Sequence, residues 1–119
     1  MKVRKAVLKV ETSKQALDRA FRVMKTRSRK HKDEYIISFP DFATLGKVLT
    51  GSRLEILAAI RKERPASIQQ LAKIVERDFK NVYADVKFLE EFGLIDLNNR
   101  GARKASAPTV NFEELVLAA

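Results

Sequence analysis

Between positions 80 and 87 of this 119-residue sequence, Lys80, Asn81, Tyr83, Ala84 and Lys87 combine side chains that suit the edges of nucleic-acid bases. An asparagine amide donates to and accepts from one adenine edge at once, and a lysine ammonium bonds guanine acceptors or phosphate oxygens. Tyr83 brings a hydroxyl and an apolar ring face. Upstream, Ser67 and Gln69 carry groups that bond backbone phosphate without reading sequence. Downstream, Arg100, Arg103 and Lys104 form a basic cluster suited to an adjacent minor groove or its phosphates. Asp85 and Glu90 stand among these residues and lower the positive potential around them.

No comparable set points to catalysis. Glu90-Glu91 and Glu113-Glu114 are adjacent pairs, whose side chains diverge instead of flanking a substrate. The sequence has no cysteine and a single histidine, His31. That excludes a disulfide framework, a thiolate zinc site and a histidine-centred triad built on a cysteine. There is no phosphate-cradling glycine loop and no G-x-S-x-G elbow. The expectation is a protein with no enzyme activity, no metal and no cofactor.

Five side chains with that spacing share one surface only if a helix carries them, and the apolar residues supply it. Val82, Val86 and Leu89 recur at helical spacing and turn inward, which leaves Lys80, Asn81, Tyr83, Ala84 and Lys87 outward. The helix is expected over about 80–92, closed by Gly93, with a turn near residues 77–79 before it. Ser67 and Gln70 form a capping box that opens a preceding helix with Leu71, Ala72, Ile74 and Val75 inward. Before that, Ser52 is expected to cap a helix whose buried stripe is Leu54, Leu57 and Ala58, widened by Ile56 and Ile60. Asp41 caps a short helix carrying Phe42, Leu45, Val48 and Leu49. After Gly93, residues 94–97 read as a strand, 98–101 as a hairpin turn and 109–112 as the returning strand. Residues 113–119 are ambiguous between helix and strand. Helix, helix, turn, helix, strand, basic hairpin, strand is the order of a winged helix-turn-helix, whose third helix enters the major groove.

The first 39 residues read differently. Residues 4–11 form a short strand with Val7, Leu8 and Val10, and Thr12 with Gln15 makes a capping box. Ala16, Leu17, Ala20, Phe21, Val23 and Met24 then define one helical stripe, followed by a basic connector and a strand at 35–39. The expected architecture is α+β. A basic strand–helix–strand extension over 1–39 is joined to a winged helix-turn-helix over 40–119 that includes the C-terminal tail. The extension is too small to hold a core by itself and is expected to pack on the rest.

The formal charge of +9 is unevenly placed. Residues 1–33 hold 12 of the 24 basic residues but only Glu11, Asp18 and Asp33 as acids, and the rest of the chain is balanced. Within this segment Arg27, Arg29, Lys30 and Lys32 are candidate extra phosphate contacts. A field of that sign attracts phosphate polymers or anionic surfaces. No apolar run approaches the roughly 18 residues of a membrane span, and no secretory leader is evident. A cytoplasmic location is expected.

The stretch ERDFKNVYADVKFLEEFGLI over 76–95, ahead of a basic hairpin, resembles the MarR/ArsR-like winged-helix regulators through its V-x-x-x-V-x-x-L-x-x-x-G-L-I pattern. More narrowly, the chain is similar to a family of short prokaryotic DNA-binding proteins, some of them antitoxin components of toxin–antitoxin pairs. The resemblance covers about residues 50–112. It implies base reading by Asn81, Tyr83, Ala84 and Lys87 and phosphate contact by Arg103 and Lys104. The sequence departs from the pattern in having no glycine in the inter-helix turn, and Ala84 where an arginine often stands. The expectation is a transcription regulator, a repressor acting on double-stranded DNA as a homodimer; the resemblance also allows an autoregulating antitoxin with a cognate toxin partner. Dimer contacts would come from the N-terminal unit or the C-terminal tail. The alternative is a protein-interaction or RNA-binding module whose basic N-terminal third makes the contact.

Overall fold

The computed structural model describes residues 3–26, 34–98 and 107–118. Their order is β1 (Val3–Val10), α1 (Ser13–Thr26), β2 (Glu34–Phe39), α2 (Phe42–Val48), α3 (Gly51–Glu63), α4 (Ile68–Ile74), α5 (Phe79–Glu91), β3 (Asp96–Asn98), β4 (Ala107–Thr109) and β5 (Phe112–Ala118). The fold is α+β, and the chain divides into two compact units. One comprises residues 1–48 and 112–119, and the other residues 49–111.

The first unit is built on a three-stranded parallel sheet in the order β2-β1-β5. β1 is central, with Val7 in register with Ile36 on one side and Val116 on the other. Two parallel neighbours satisfy its backbone on both edges, and its alternate residues Ala6 and Leu8 share one face and are almost wholly enclosed. α1 opens with the expected reciprocal cap. The Gln15 amide donates to Thr12 Oγ1, and the Thr12 amide to Gln15 Oε1. α2 lies against β2 and buries Leu45 and Val48, with the Thr44 amide donating to Asp41 as its cap.

Two expectations for this unit are corrected. This compact unit runs to Val48 and not only to residue 39, and residues 112–118 join it, as strand β5, and not residues 49–111. The cause is hydrogen bonding. β1 has a second edge to satisfy, and residues 112–118 supply a strand in register with it. The α1 stripe also differs, because Leu17 and Phe21 remain 57% and 55% exposed. Among the described side chains of α1, Arg19 makes a polar tie to the strands. Arg19 and the Ser38 hydroxyl both donate to Oε1 of the buried Glu11, just beyond β1, and Lys9 lies 4.0 Å from Oε2.

Those donors hold the Glu11 carboxyl below its ordinary value of 4.5, the Arg19 hydrogen bond being the largest cause. A depressed folded-state pKa stabilises the fold above the unfolded value, and this contribution is lost as pH falls through the lower folded one. Urea midpoints followed from neutral pH to below 4.5 are expected to fall for the native chain. Glu11→Gln should start lower and respond less to acid. Asp41, lowered by the Thr44 amide, adds a change of the same sign in both proteins. Parallel curves for the two proteins would exclude a role for Glu11.

The second unit packs three helices and a two-stranded antiparallel ladder. Its core is Ile56, Leu57, Ile60, Ile68, Leu71, Ala72, Val82, Val86, Leu89, Leu94 and Ile95. Thr50, not Ser52, caps α3, accepting from the Arg53 amide at 3.3 Å. The buried stripe of α3 is rotated from the expected one. Ile56, Leu57 and Ile60 are inside, while Leu54 and Ala58 are exposed. Arg53 takes the N-terminal place on that stripe, its guanidinium 3.9 Å above the Phe88 ring. On α4, Ile68, Leu71 and Ala72 are inside, whereas Ile74 faces solvent. The returning strand is shorter and earlier than 109–112. β4 pairs Ala107 with Asn98, Pro108 with Leu97 and Thr109 with Asp96.

Candidate nucleic-acid interface

The α4–α5 connection begins with a helix end that the sequence does not advertise. The Arg77 amide donates to Ala72 O at 3.0 Å and the Glu76 amide to Lys73 O at 3.3 Å. These are the paired bonds of a Schellman turn, which places its next residue in the left-handed region. Glu76 fills that position with φ of 55°. The missing glycine therefore does not prevent the turn; it leaves a strained glutamate in it, at a cost of about 1 kcal/mol. The end of α5 repeats the motif conventionally, with Gly93 at φ 80° and Leu94 donating to Leu89 O.

The upstream cap sets the start of α4. Ser67 Oγ accepts from the Gln70 amide at 3.0 Å, and Gln70 Oε1 accepts from the Ala66 amide at 2.7 Å. Ser67 thus spends its acceptor on the cap, while its O–H remains suited to phosphate. Gln69 is exposed.

Along α5, Val82, Val86 and Leu89 are completely enclosed, and Lys80, Asn81, Tyr83, Ala84 and Lys87 are all exposed. The five residues chosen from spacing therefore stand together on one face. Phe79 joins them. Its ring lies 5.9 Å from that of Tyr83, and the two are 48% and 45% exposed. The sequence reading assigned Phe79 to the turn, yet its place four residues before Tyr83 is the available signal.

Two acids temper this face in different ways. Asp85 accepts from Arg53 Nε at 3.1 Å and Arg77 Nη1 at 3.0 Å, so two cations more than offset its charge. Lys87 is engaged within its own helix, its ammonium 3.0 Å from Glu90 Oε1. The hydrogen bond to Glu90 raises the Lys87 pKa above the ordinary lysine value. A phosphate or base acceptor must compete with that carboxylate.

Arg100, Arg103 and Lys104 lie outside the described residues, as do Arg27, Arg29, Lys30 and Lys32. Among the described residues no three His, Cys, Asp or Glu side chains gather into a metal-binding group. No helix among them is long and apolar enough to cross a membrane. The model of the HVO_A0114 family matches residues 48–117, more than half of the chain. No curated protein matches it.

Proposed function

The chain belongs to the HVO_A0114 family, and we propose that it is a DNA-binding transcription regulator whose residues 49–111 act as a winged helix-turn-helix. One observation carries the reading. α5 buries Val82, Val86 and Leu89 and turns an amide, two lysines, a phenol and a methyl outward over its first turns. That half of the recognition helix enters the major groove in this motif. Asn81 pairs with an adenine edge, Lys80 and Lys87 bond guanine acceptors or phosphate, and Tyr83 and Ala84 give shape. Ser67 and Gln69 contact phosphate from the start of α4. β3 and β4 form the base of the wing, and Arg100, Arg103 and Lys104 between them reach the neighbouring groove.

Readers of this kind act as twofold dimers on paired half-sites. The two candidate dimer elements, the N-terminal unit and the C-terminal tail, are parts of one sheet through β1 and β5. A clean monomer mass in light scattering at working concentration overturns the dimer. Bound to an operator at its own promoter, the protein blocks polymerase sterically. The resemblance to antitoxin-like regulators makes a cognate toxin the partner to seek, and the reading places the protein in the cytoplasm.

The test is a gel shift at physiological salt. It compares DNA from upstream of the protein's own gene with unrelated DNA of equal length. A preference of roughly 10³-fold or more is expected, the lower end for specific binders. Equal, salt-sensitive binding to both moves the function to the basic N-terminal third. Structured RNA outcompeting duplex DNA favours the RNA-binding alternative.

A further inference from the structure

We propose that the Phe79–Tyr83 pair reads the C5-methyl group of thymine, making α5 a helix that distinguishes thymine from the other bases by an apolar contact. The inference rests on the reading of α5 as the groove helix and adds a ligand group that polar residues alone do not select.

The two rings stand at i and i+4, tilted by 34° with centroids 5.9 Å apart, and about half of each residue's surface is open to solvent. Phe79 is not one of the buried core residues. Phe79 has no donor or acceptor, so it cannot read a hydrogen-bonding pattern. Among the four bases in the major groove, thymine alone presents a methyl group, and apolar side chains recognise it. Ala84, next to Tyr83 in sequence, is also exposed.

The surroundings favour duplex DNA over an apolar protein partner. Lys80 adjoins Phe79, Asn81 lies between the rings in sequence, and Lys87 is one turn beyond Tyr83, all exposed. Lys80 beside the aromatic pair complements a phosphate flanking a base edge, and Lys87 does so on leaving Glu90. Four helical residues rise about 6 Å, close to two base-pair steps of roughly 3.4 Å each. The rings thus span neighbouring steps.

The experiment removes the methyl group and nothing else from the base. Duplex DNA from upstream of the protein's own gene is prepared with thymidine or with deoxyuridine throughout. Binding of the full chain to each is measured in one buffer. Uracil keeps the O4 acceptor and pairs identically with adenine. Burying one methyl changes affinity about fourfold, so two contacts predict roughly fifteenfold weaker binding to the deoxyuridine duplex. Phe79→Ala and Tyr83→Ala should each shrink that ratio, and Phe79→Leu should largely keep it. The variant ratios also separate contact from any change in groove shape, because shape effects persist when the rings are gone. Far-UV circular dichroism verifies that each variant is folded.

Tight binding to both duplexes with equal affinity overturns the methyl contact and leaves the DNA-binding reading standing. Binding to neither duplex overturns both. A ring-dependent preference for single-stranded DNA also overturns it, since the aromatics would then be stacking on unpaired bases.

Discussion

Leu89→Ala is expected to remove most of the stability of residues 49–111. Leu89 is completely enclosed in the core of that unit, on the same face of α5 as Val82 and Val86. A buried leucine truncated to alanine loses transfer free energy and leaves a cavity, at a cost of about 2–5 kcal/mol. At roughly 0.05–0.15 kcal/mol per residue, a unit of this size holds about 3–9 kcal/mol in all. The variant therefore sits near the edge of unfolding at ordinary temperature. Urea titration of the full chain, followed by far-UV circular dichroism, should show an early transition in the variant where the native chain remains helical. Leu54→Ala on the exposed side of α3 is the control, with a change of about 0.5 kcal/mol or less. Similar losses in the two variants would mean that the assigned core is wrong.

Asn81→Ala carries the largest expected effect on binding. A bidentate asparagine–adenine pair contributes about 1–3 kcal/mol of discrimination, so operator affinity should fall about 5- to 150-fold. Affinity for unrelated DNA and the salt dependence should stay nearly unchanged, because no cation is removed. Lys80→Ala should behave oppositely if it contacts phosphate, weakening all duplexes and lowering the salt slope by about one. Asn81 is exposed, so the substitution opens no cavity. Uniform weakening in Asn81→Ala would assign the residue to backbone contact, and no weakening would remove it from the interface.

The helix that matters most was legible because it obeys a simple rule. Val82, Val86 and Leu89 are apolar, regularly spaced and all buried, so the outward residues followed by subtraction. α3 was less legible because a charged residue occupies part of its inner face. Arg53 lies over Phe88 and bonds Asp85, and hydrophobicity gives such a residue no weight toward the interior. The turn after α4 hid for a related reason. Glu76 adopts the left-handed conformation that sequence reading reserves for glycine. β5 was the least accessible, since its pairing partner β1 lies at the far end of the sequence and local periodicity is blind to that. Short strands such as β4 escape the same reading, and Pro108 within it argues against a strand locally.

The register of Val7 with Val116 also sets a timetable for biosynthesis. Residues 49–111 are contiguous and can complete their core as soon as they clear the ribosome. β1 emerges early but waits for a partner encoded roughly a hundred residues later. At roughly 5–20 residues per second, that wait lasts on the order of 5–20 seconds. Throughout it the nascent β1 offers one unpaired edge beside an exposed apolar α1 surface, the arrangement most prone to pairing with another chain. The nascent chain thus has its greatest need of a chaperone while residues 49–111 are still being made, because β5 follows directly on the last of them.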